Sequence, residues 1–440
     1  MTAPALSMID AAYRYPGGGG LAVGPVSLEV ARGEFVLVTG PTGCGKSTML
    51  RLAAGMLQRH GRGEVLGTVT VDGADPGGMT PAERVTQIGF VAQEPADQVV
   101  AGTIGDEIAF GLESAGWAAD RIDARVAEIL AQVGLPADPE RSPAALSGGQ
   151  RQRLVVGAAL AAGANLLLLD EAIAWIDPES AIELLARLRA LADTGVAVVV
   201  VEHRVDAVTP YVDRVIRLAP DDTYRPPPPS PPAPLGADVL GGSALTWRYG
   251  AIEALRGMDF TVREGERVAL LGRNGAGKST LLGMLAGHLG KAVRASGSVV
   301  DVPQDPDLAL FCATVREELG YGALEERRPP DAVAARVGAA ARAVAIEDLL
   351  DRPPQALSRG QRLRTAVAAA MACEPTVLLL DEPTSGQDRA QVDRMMAALV
   401  GTTVVFATHD RRLAREHATR AVVLEDGRIV ADGPPAEVLA

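Results

Sequence analysis

The chain has little cysteine, few aromatic residues, no long apolar run and no surplus of positive charge, and each shortage narrows what it can be. Its three cysteines, Cys44, Cys312 and Cys373, have no paired spacing; they fit a reducing compartment and form neither a disulfide framework nor a metal-site pattern. The longest apolar stretches, such as Val196 to Val201, fall far short of a membrane span and read as buried strands. Met1 to Pro4 has no basic stretch leading into an apolar one, so no signal peptide is expected. A formal charge of −13 argues against affinity built on neutralising nucleic-acid phosphates, leaving room only for a small basic site. Aromatics supply 3% of a composition that is 48% hydrophobic, so the cores must be built from Ala, Val and Leu. The expectation is a soluble chain whose link to any membrane runs through a partner.

What is present is a repeat. Gly40-Pro-Thr-Gly-Cys-Gly-Lys-Ser47 returns as Gly272-Arg-Asn-Gly-Ala-Gly-Lys-Ser279, Leu146-Ser-Gly-Gly-Gln150 as Leu357-Ser-Arg-Gly-Gln361, and Leu166-Leu-Leu-Leu-Asp-Glu171 as Val377-Leu-Leu-Leu-Asp-Glu382. Gln93 and Gln304, Ser147 and Ser358, and Asp170 and Asp381 each lie 211 residues apart, whereas Lys46 and Lys278 lie 232 apart. The second copy has therefore lost 21 residues after its Gly-rich loop, matching the stretch around Gly61 to Arg84 and predicting a trimmed peripheral sheet. Between the copies, Arg225 to Pro234 carries seven prolines, which favour extended polyproline II and exclude a helix or central strand. At ~3.1 Å per residue, such a spacer could reach about 28 Å. The expected organisation is one domain over residues 1–224, a linker over 225–236 and a second domain over 237–440.

Each Gly-rich loop follows a short apolar strand (Phe35 to Thr39, Val268 to Leu271) and opens a helical pattern (Ser47 to Met56, Ser279 to Leu285). In that context glycines turn backbone N–H groups toward phosphate, and the helix N-terminus adds partial positive charge. The expected cradles are Gly40, Pro41, Thr42, Gly43, Cys44, Gly45, Lys46, Ser47 and Thr48 in the first copy. In the second they are Gly272, Arg273, Asn274, Gly275, Ala276, Gly277, Lys278, Ser279 and Thr280. Lys46 and Lys278 would reach the β- and γ-phosphates of ATP, and Ser47 and Ser279 would offer hydroxyls to Mg²⁺. Each Leu-rich run ending in Asp-Glu reads as a buried strand with carboxylates at its C-terminal edge, where ligands collect in open α/β sheets. Asp170 and Asp381 would hold Mg²⁺, and Glu171 and Glu382 would orient and polarise the attacking water. Taken singly, such a run also reads as a buried strand ending in a solvated turn.

These motifs resemble those of ATP-binding-cassette ATPases over nearly the whole chain. The resemblance implies two tandem α/β domains, each a mostly parallel sheet with a helical subdomain, near Thr103 to Leu146 and Thr314 to Leu357. It implies that Ser147, Gly149 and Gln150, and Ser358, Gly360 and Gln361, open helices (from about Arg151 and Arg362) that cap ATP bound by the opposite domain. The tandem domains would then pair within one chain to form two composite ATP sites. By the same resemblance, Gln93 and Gln304 sense Mg²⁺ and water, and His203 and His409 are switch histidines. Asp177 and Asp388 belong to the loop communicating between domains, and Tyr15 and Tyr249 take the place of the adenine-stacking aromatic. The tyrosines also read as strand residues packing near a turn. There are departures: Arg359 replaces the first glycine of the usual Gly-Gly, and Ala172-Ile173 stand where the second copy has Pro383-Thr384. Trp175 and Ile176 give the first communicating loop an apolar shape best explained by packing.

Gln93-Glu-Pro-Ala-Asp-Gln98, followed by Thr103 and Glu107, looks like the loop of energy-coupling-factor importer ATPases, as does Val201-Glu-His-Arg204. That resemblance implies a motor at the cytoplasmic face of the membrane, importing vitamins or transition-metal ions. It would work with a transmembrane coupling protein and a separate substrate-binding component, without nucleic acid. A sugar-importer tandem ATPase and a ribosome-associated tandem ATPase are the alternatives. The short, proline-rich linker, uncharged after Arg225, differs from the long charged helical linker of the latter. The apolar residues Val99, Val100, Ile104, Leu308, Leu310 and Phe311 beside the glutamine loops are expected either to dock a partner helix or to pack the subdomain.

Overall fold

A computed structural model describes residues 3–16, 20–59, 63–93, 98–173, 176, 178–219, 236–325, 327–384 and 386–439. The chain divides into two compact units, residues 1–222 and 223–440. The linker expected at 225–236 lies outside the described residues except for Gly236, as do Trp175 and Asp177.

In the first unit five strands form a parallel sheet in the order Ile88–Val91, Leu166–Asp170, Ala197–Val201, Phe35–Thr39, Arg214–Arg217. Their runs of Leu and Val are buried on both faces, as a parallel sheet covered by helices requires. One apolar cluster fills each face. A smaller antiparallel sheet, Val23–Val30, Leu6–Arg14 and Glu64–Val71, lies beside this core. Helices Ile104–Ser114 and Ala119–Gln132 pack a separate cluster around Ile108, Leu112, Ile129 and Leu154; they form the predicted helical subdomain.

The second unit repeats the plan. Its parallel strands run in the order Val299–Val302, Val377–Asp381, Val404–Ala407, Arg267–Leu271, Arg420–Glu425, with Arg428–Gly433 added antiparallel at the edge. Val315–Glu325 and Pro330–Ala343 form its helical subdomain. The 21-residue deletion appears where the offsets place it. The eight-residue strand Glu64–Val71 shrinks to Arg294–Ala295, and only three residues then precede Val299, leaving no counterpart of helix Pro81–Gln87. The parallel sheet and its C-terminal edge are untouched by the loss.

Candidate phosphate and metal sites at the sheet edges

The strands Phe35–Thr39 and Leu166–Asp170 flank Ala197–Val201, so the Gly-rich loop, the Asp-Glu pair and His203 all emerge at one sheet edge. The second unit brings Leu271, Asp381 and Ala407 to the same edge in the same way. The phosphate loops lead into helices Lys46–Ala53 and Lys278–Leu285. Gly45 and Gly277 cap these helices at φ 97° and 105°, a left-handed conformation in which a side chain is strained. A Cβ there would also lie 2.3 Å from the Ala22 carbonyl or 2.8 Å from that of Ala254, so the loop closes tightly only with glycine. Lys46 Nζ donates to the carbonyls of Gly40 (2.8 Å) and Pro41 (3.0 Å), and Lys278 Nζ to those of Gly272 (2.8 Å) and Arg273 (3.2 Å). Each ammonium is thus folded over its own loop. Burial lowers the Lys278 pKa, against the pull of Glu382 and Asp381.

Ser47 Oγ donates to Asp170 Oδ1 at 3.0 Å. Asp170 is buried, and burial, followed by the charge of Glu171, pushes its carboxyl up to about 6 despite the serine and nearby cations. Asp381 is raised for the same leading reason, with Ser279 as its hydrogen-bond partner. A hydroxyl beside a buried carboxylate held at this cost is an all-oxygen donor set suited to a hard divalent cation.

The neighbouring glutamates share an unusual backbone. Glu171 has φ 52° and Glu382 φ 51°, a region non-glycine residues enter rarely and at a cost. Their main chains are held there by Glu171 N–H donating to Val201 O (2.9 Å) and Glu382 N–H to Ala407 O (3.0 Å). In the first unit Gln93 Nε2 donates to Glu171 Oε2 at 2.7 Å, and His203 Nε2 lies 3.1 Å from Oε1. Burial pushes the Glu171 carboxyl up, but His203, Lys46 and Gln93 together hold it below the ordinary glutamate range. In the second unit His409 Nδ1 lies 3.0 Å from Glu382 Oε2. That contact is close but poorly aligned, since the oxygen accepts no directed hydrogen bond. Gln304 is exposed and makes no hydrogen bond to Glu382; its backbone carbonyl instead accepts from Arg359 at 3.3 Å.

The signature helices begin at Gly148 and Arg359, three residues earlier than expected. The reason is a capping box. Ser147 and Gln150 bond each other's backbone N–H groups (3.2 and 3.1 Å), as do Ser358 and Gln361 (3.4 and 2.9 Å), which starts the helix directly after the serine. Both serines are exposed, while Gly149 and Gly360 are buried against Ser180 and the Gly386 carbonyl. Tyr15 and Tyr249 are exposed, and each meets an aromatic neighbour edge-on: Tyr13 at 4.9 Å and Trp247 at 6.2 Å. Asp388 caps helix Arg389–Ala398, accepting from Gln391 N–H at 2.9 Å. Ala172, Ile173 and Ile176 are buried in the first core, in line with the packing explanation.

Sequence reasoning missed the braces behind these loops. Glu107 accepts the N–H groups of Val100 and Ala101 (2.9 and 2.8 Å), and Glu318 those of Phe311 and Cys312 (2.9 and 2.7 Å). The matching 211-residue offset was the available signal. Gln98 closes the first glutamine loop, accepting from Ala92 N–H (2.7 Å) and donating to Phe90 O (3.3 Å).

The family model for "ABC transporter" matches residues 23–174 and again 255–385. The chain belongs to the ABC transporter family. A putative ABC transporter ATP-binding protein of Streptomyces avermitilis is 35% identical, covering 98% of this chain and 94% of that protein. One of Methanosarcina mazei is 32% identical, covering 98% and 89%. Among solved structures, a ribosome-bound archaeal Pelota and ABCE1 model aligns over 98% of this chain and 79% of that chain, with a TM-score of 0.69 and 21% identity, a likeness of fold. This chain is therefore a tandem ABC ATPase, and its domains bind ATP. Among the described residues no helix is long and apolar enough to cross a membrane.

Proposed function

We propose that the chain is the ATP-hydrolysing motor subunit of an importer of the energy-coupling-factor type, acting peripherally on the cytoplasmic face of the membrane. The observation that carries this reading is an exposed apolar surface, at matched positions, beside each glutamine loop. Val100 is 72% exposed and Phe110 60%; their counterparts Phe311 and Tyr321 are 64% and 44% exposed, with Leu308 at 79% beside them. Large apolar residues held out by a buried glutamate brace are suited to the apolar face of a helix from a membrane subunit. A transmembrane coupling protein would supply that helix and a separate component would bind the vitamin or metal ion. The docking surface differs from the one expected from sequence, because Ile104 and Leu310 are buried and Val99 packs against the cores.

In this reading Lys46 and Lys278 leave their loop carbonyls to bind the β- and γ-phosphates of ATP. The loop N–H groups hold those phosphates, and Tyr15 and Tyr249 stack on adenine. Ser47 and Asp170, with Gln93, would hold Mg²⁺ in site one, as would Ser279 and Asp381, with Gln304, in site two; the ion supplies charge neutralisation on the phosphates. Glu171 and Glu382 orient the attacking water and take its proton, steadied by His203 and His409. The turns at Ser147, Gly149 and Gln150 and at Ser358, Gly360 and Gln361, with their serines exposed, are helix N-termini without a lysine, suited to capping the γ-phosphate held by the other half. Pairing of the two halves within one chain would complete both sites.

The test is co-purification of the chain with a transmembrane coupling subunit co-expressed with it. Val100→Glu combined with Phe311→Glu should abolish it while ATP hydrolysis by the isolated chain stays within about twofold, as expected for exposed positions. Unchanged co-purification would sink the docking surface.

A further inference from the structure

Among the described residues, Glu202 is the most deeply buried acid that the reaction scheme above leaves unused. It is 1% exposed and stands between Val201, the last residue of a core strand, and His203. Its Oε1 accepts the Ile173 N–H at 2.6 Å, and Glu202 itself directly precedes His203 in the chain. Ile173 lies two residues beyond Glu171. One carboxyl therefore joins the backbone of the turn that presents Glu171 to the backbone of the turn that presents His203. Those two side chains meet at 3.1 Å.

The second half is built differently. The residue before its histidine is Thr408, whose Oγ1 accepts the Asp410 N–H at 3.0 Å and so closes its own turn. The Asp-Glu turn there continues as Pro383-Thr384, where proline restricts the backbone. In the first half Ala172-Ile173 lacks that restraint. Glu171 sits at positive φ, so its turn is costly and must be held from outside.

We infer that Glu202 is a positioning residue for ATP hydrolysis at site one: its carboxyl fixes the Glu171 turn against the His203 turn, standing in for the proline of the second half. What the site needs from it is a hydrogen-bond acceptor, not a charge, because the groups around it include the Glu171 carboxylate as well as Arg204. The inference rests on Glu171 as the residue that orients water.

The experiment measures single-turnover ATP hydrolysis in full-length protein carrying Glu382→Gln, which isolates site one. Glu202→Ala should lower kcat by about 10- to 100-fold, the scale of a misplaced catalytic group, with the KM for ATP within about twofold. Glu202→Gln, which keeps an acceptor oxygen, should restore kcat to within about threefold of the parent, as a uniform binding effect would not. Glu202→Thr, copying the second half, should fall with Ala, and it carries the test if Ala does not fold. Loss of kcat with Gln as large as with Ala or Thr would overturn the acceptor role, as would a raised KM at unchanged kcat, or a kcat unchanged in Ala and Thr. A Glu171→Gln control separates the readings. If it leaves site-one turnover intact, the role of Glu171 fails and the proposal with it. If it abolishes turnover while Glu202→Ala does not, only the proposal fails.

Discussion

The two halves share the phosphate loop, the Asp-Glu strand and the histidine after the next strand, yet hold their glutamates by different means. In the first, Gln93 donates to Glu171 and His203 meets the other carboxylate oxygen, so both oxygens are engaged. In the second, His409 approaches Glu382 out of line, and Gln304 is turned away to solvent with its carbonyl held by Arg359. The arginine stands where the first half has Gly148, so the departure in the signature reaches the glutamine loop of its own domain. In the first half Gln93 and His203 both engage the glutamate; in the second the same residue types stand nearby without a directed hydrogen bond to its Oε2. Duplicated motifs therefore fix which residues take part, while their neighbours fix how ready they are.

The largest effect that bears on this contrast comes from the glutamates. Glu171→Gln and Glu382→Gln should each slow hydrolysis at their own site by at least ~100-fold, the scale of losing a general base. Single-turnover kinetics of the two variants measure it. If Glu382→Gln leaves total turnover unchanged, the second site only binds ATP and the contrast is one of function, not of readiness.

A smaller difference should separate the glutamines. Gln93→Ala removes a 2.7 Å hydrogen bond to Glu171, whereas Gln304→Ala removes no hydrogen bond to Glu382. In backgrounds that silence the opposite site, the first substitution should cost about tenfold more in kcat than the second, roughly the worth of one hydrogen bond to a charged group. Equal losses would mean that Gln304 reaches the same position during turnover and that the asymmetry does not carry into hydrolysis.

The smallest effect is on stability and belongs to the first half alone. Burial, then the charge of Glu171, raises the Glu202 pKa from 4.5 to about 8, against the hydrogen bonds from Ile173 and His203 and the charge of Arg204. The folded chain thus keeps a proton that the unfolded chain releases, so this residue costs stability progressively as pH rises from about 4.5 through about 8. Glu202→Gln has no such proton. Thermal melts should show the variant gaining on the parent by at least about 2 °C between pH 5 and pH 8.5. A constant difference across that range would mean that the carboxyl titrates normally.

The sequence made the repeated features legible, because a phosphate loop, a buried Asp-Glu strand and a signature turn are each written in consecutive residues. The drop in offset from 232 to 211 residues even located the trimmed sheet, since strands and turns lost from one copy remain visible in the other. Less legible was whatever depends on side chains meeting from separate strands. Glu202 reads locally as one polar residue before a histidine; its role appears only when the sheet brings it to Ile173. Leu310 and Phe311 are neighbours in sequence with similar character, yet one is 8% exposed and the other 64%, because the Glu318 brace turns the chain between them outward. The early start of the signature helices was written in Ser147 and Gln150, a capping pair whose functional reading hid its structural one.

The left-handed backbone at Glu171 and Glu382 has a consequence for anyone engineering this protein. Glycine or asparagine would occupy those two positions with less strain, by about 1 kcal/mol each, and would also remove the acidic neighbour that raises Asp170 and Asp381. Directed evolution for heat resistance alone would therefore be drawn toward these two codons and, on the proposed role of the glutamates, would return robust proteins with little ATP turnover. Any library screened for thermal tolerance needs a hydrolysis assay at every round, because here the selectable gain and the lost activity sit on the same residue.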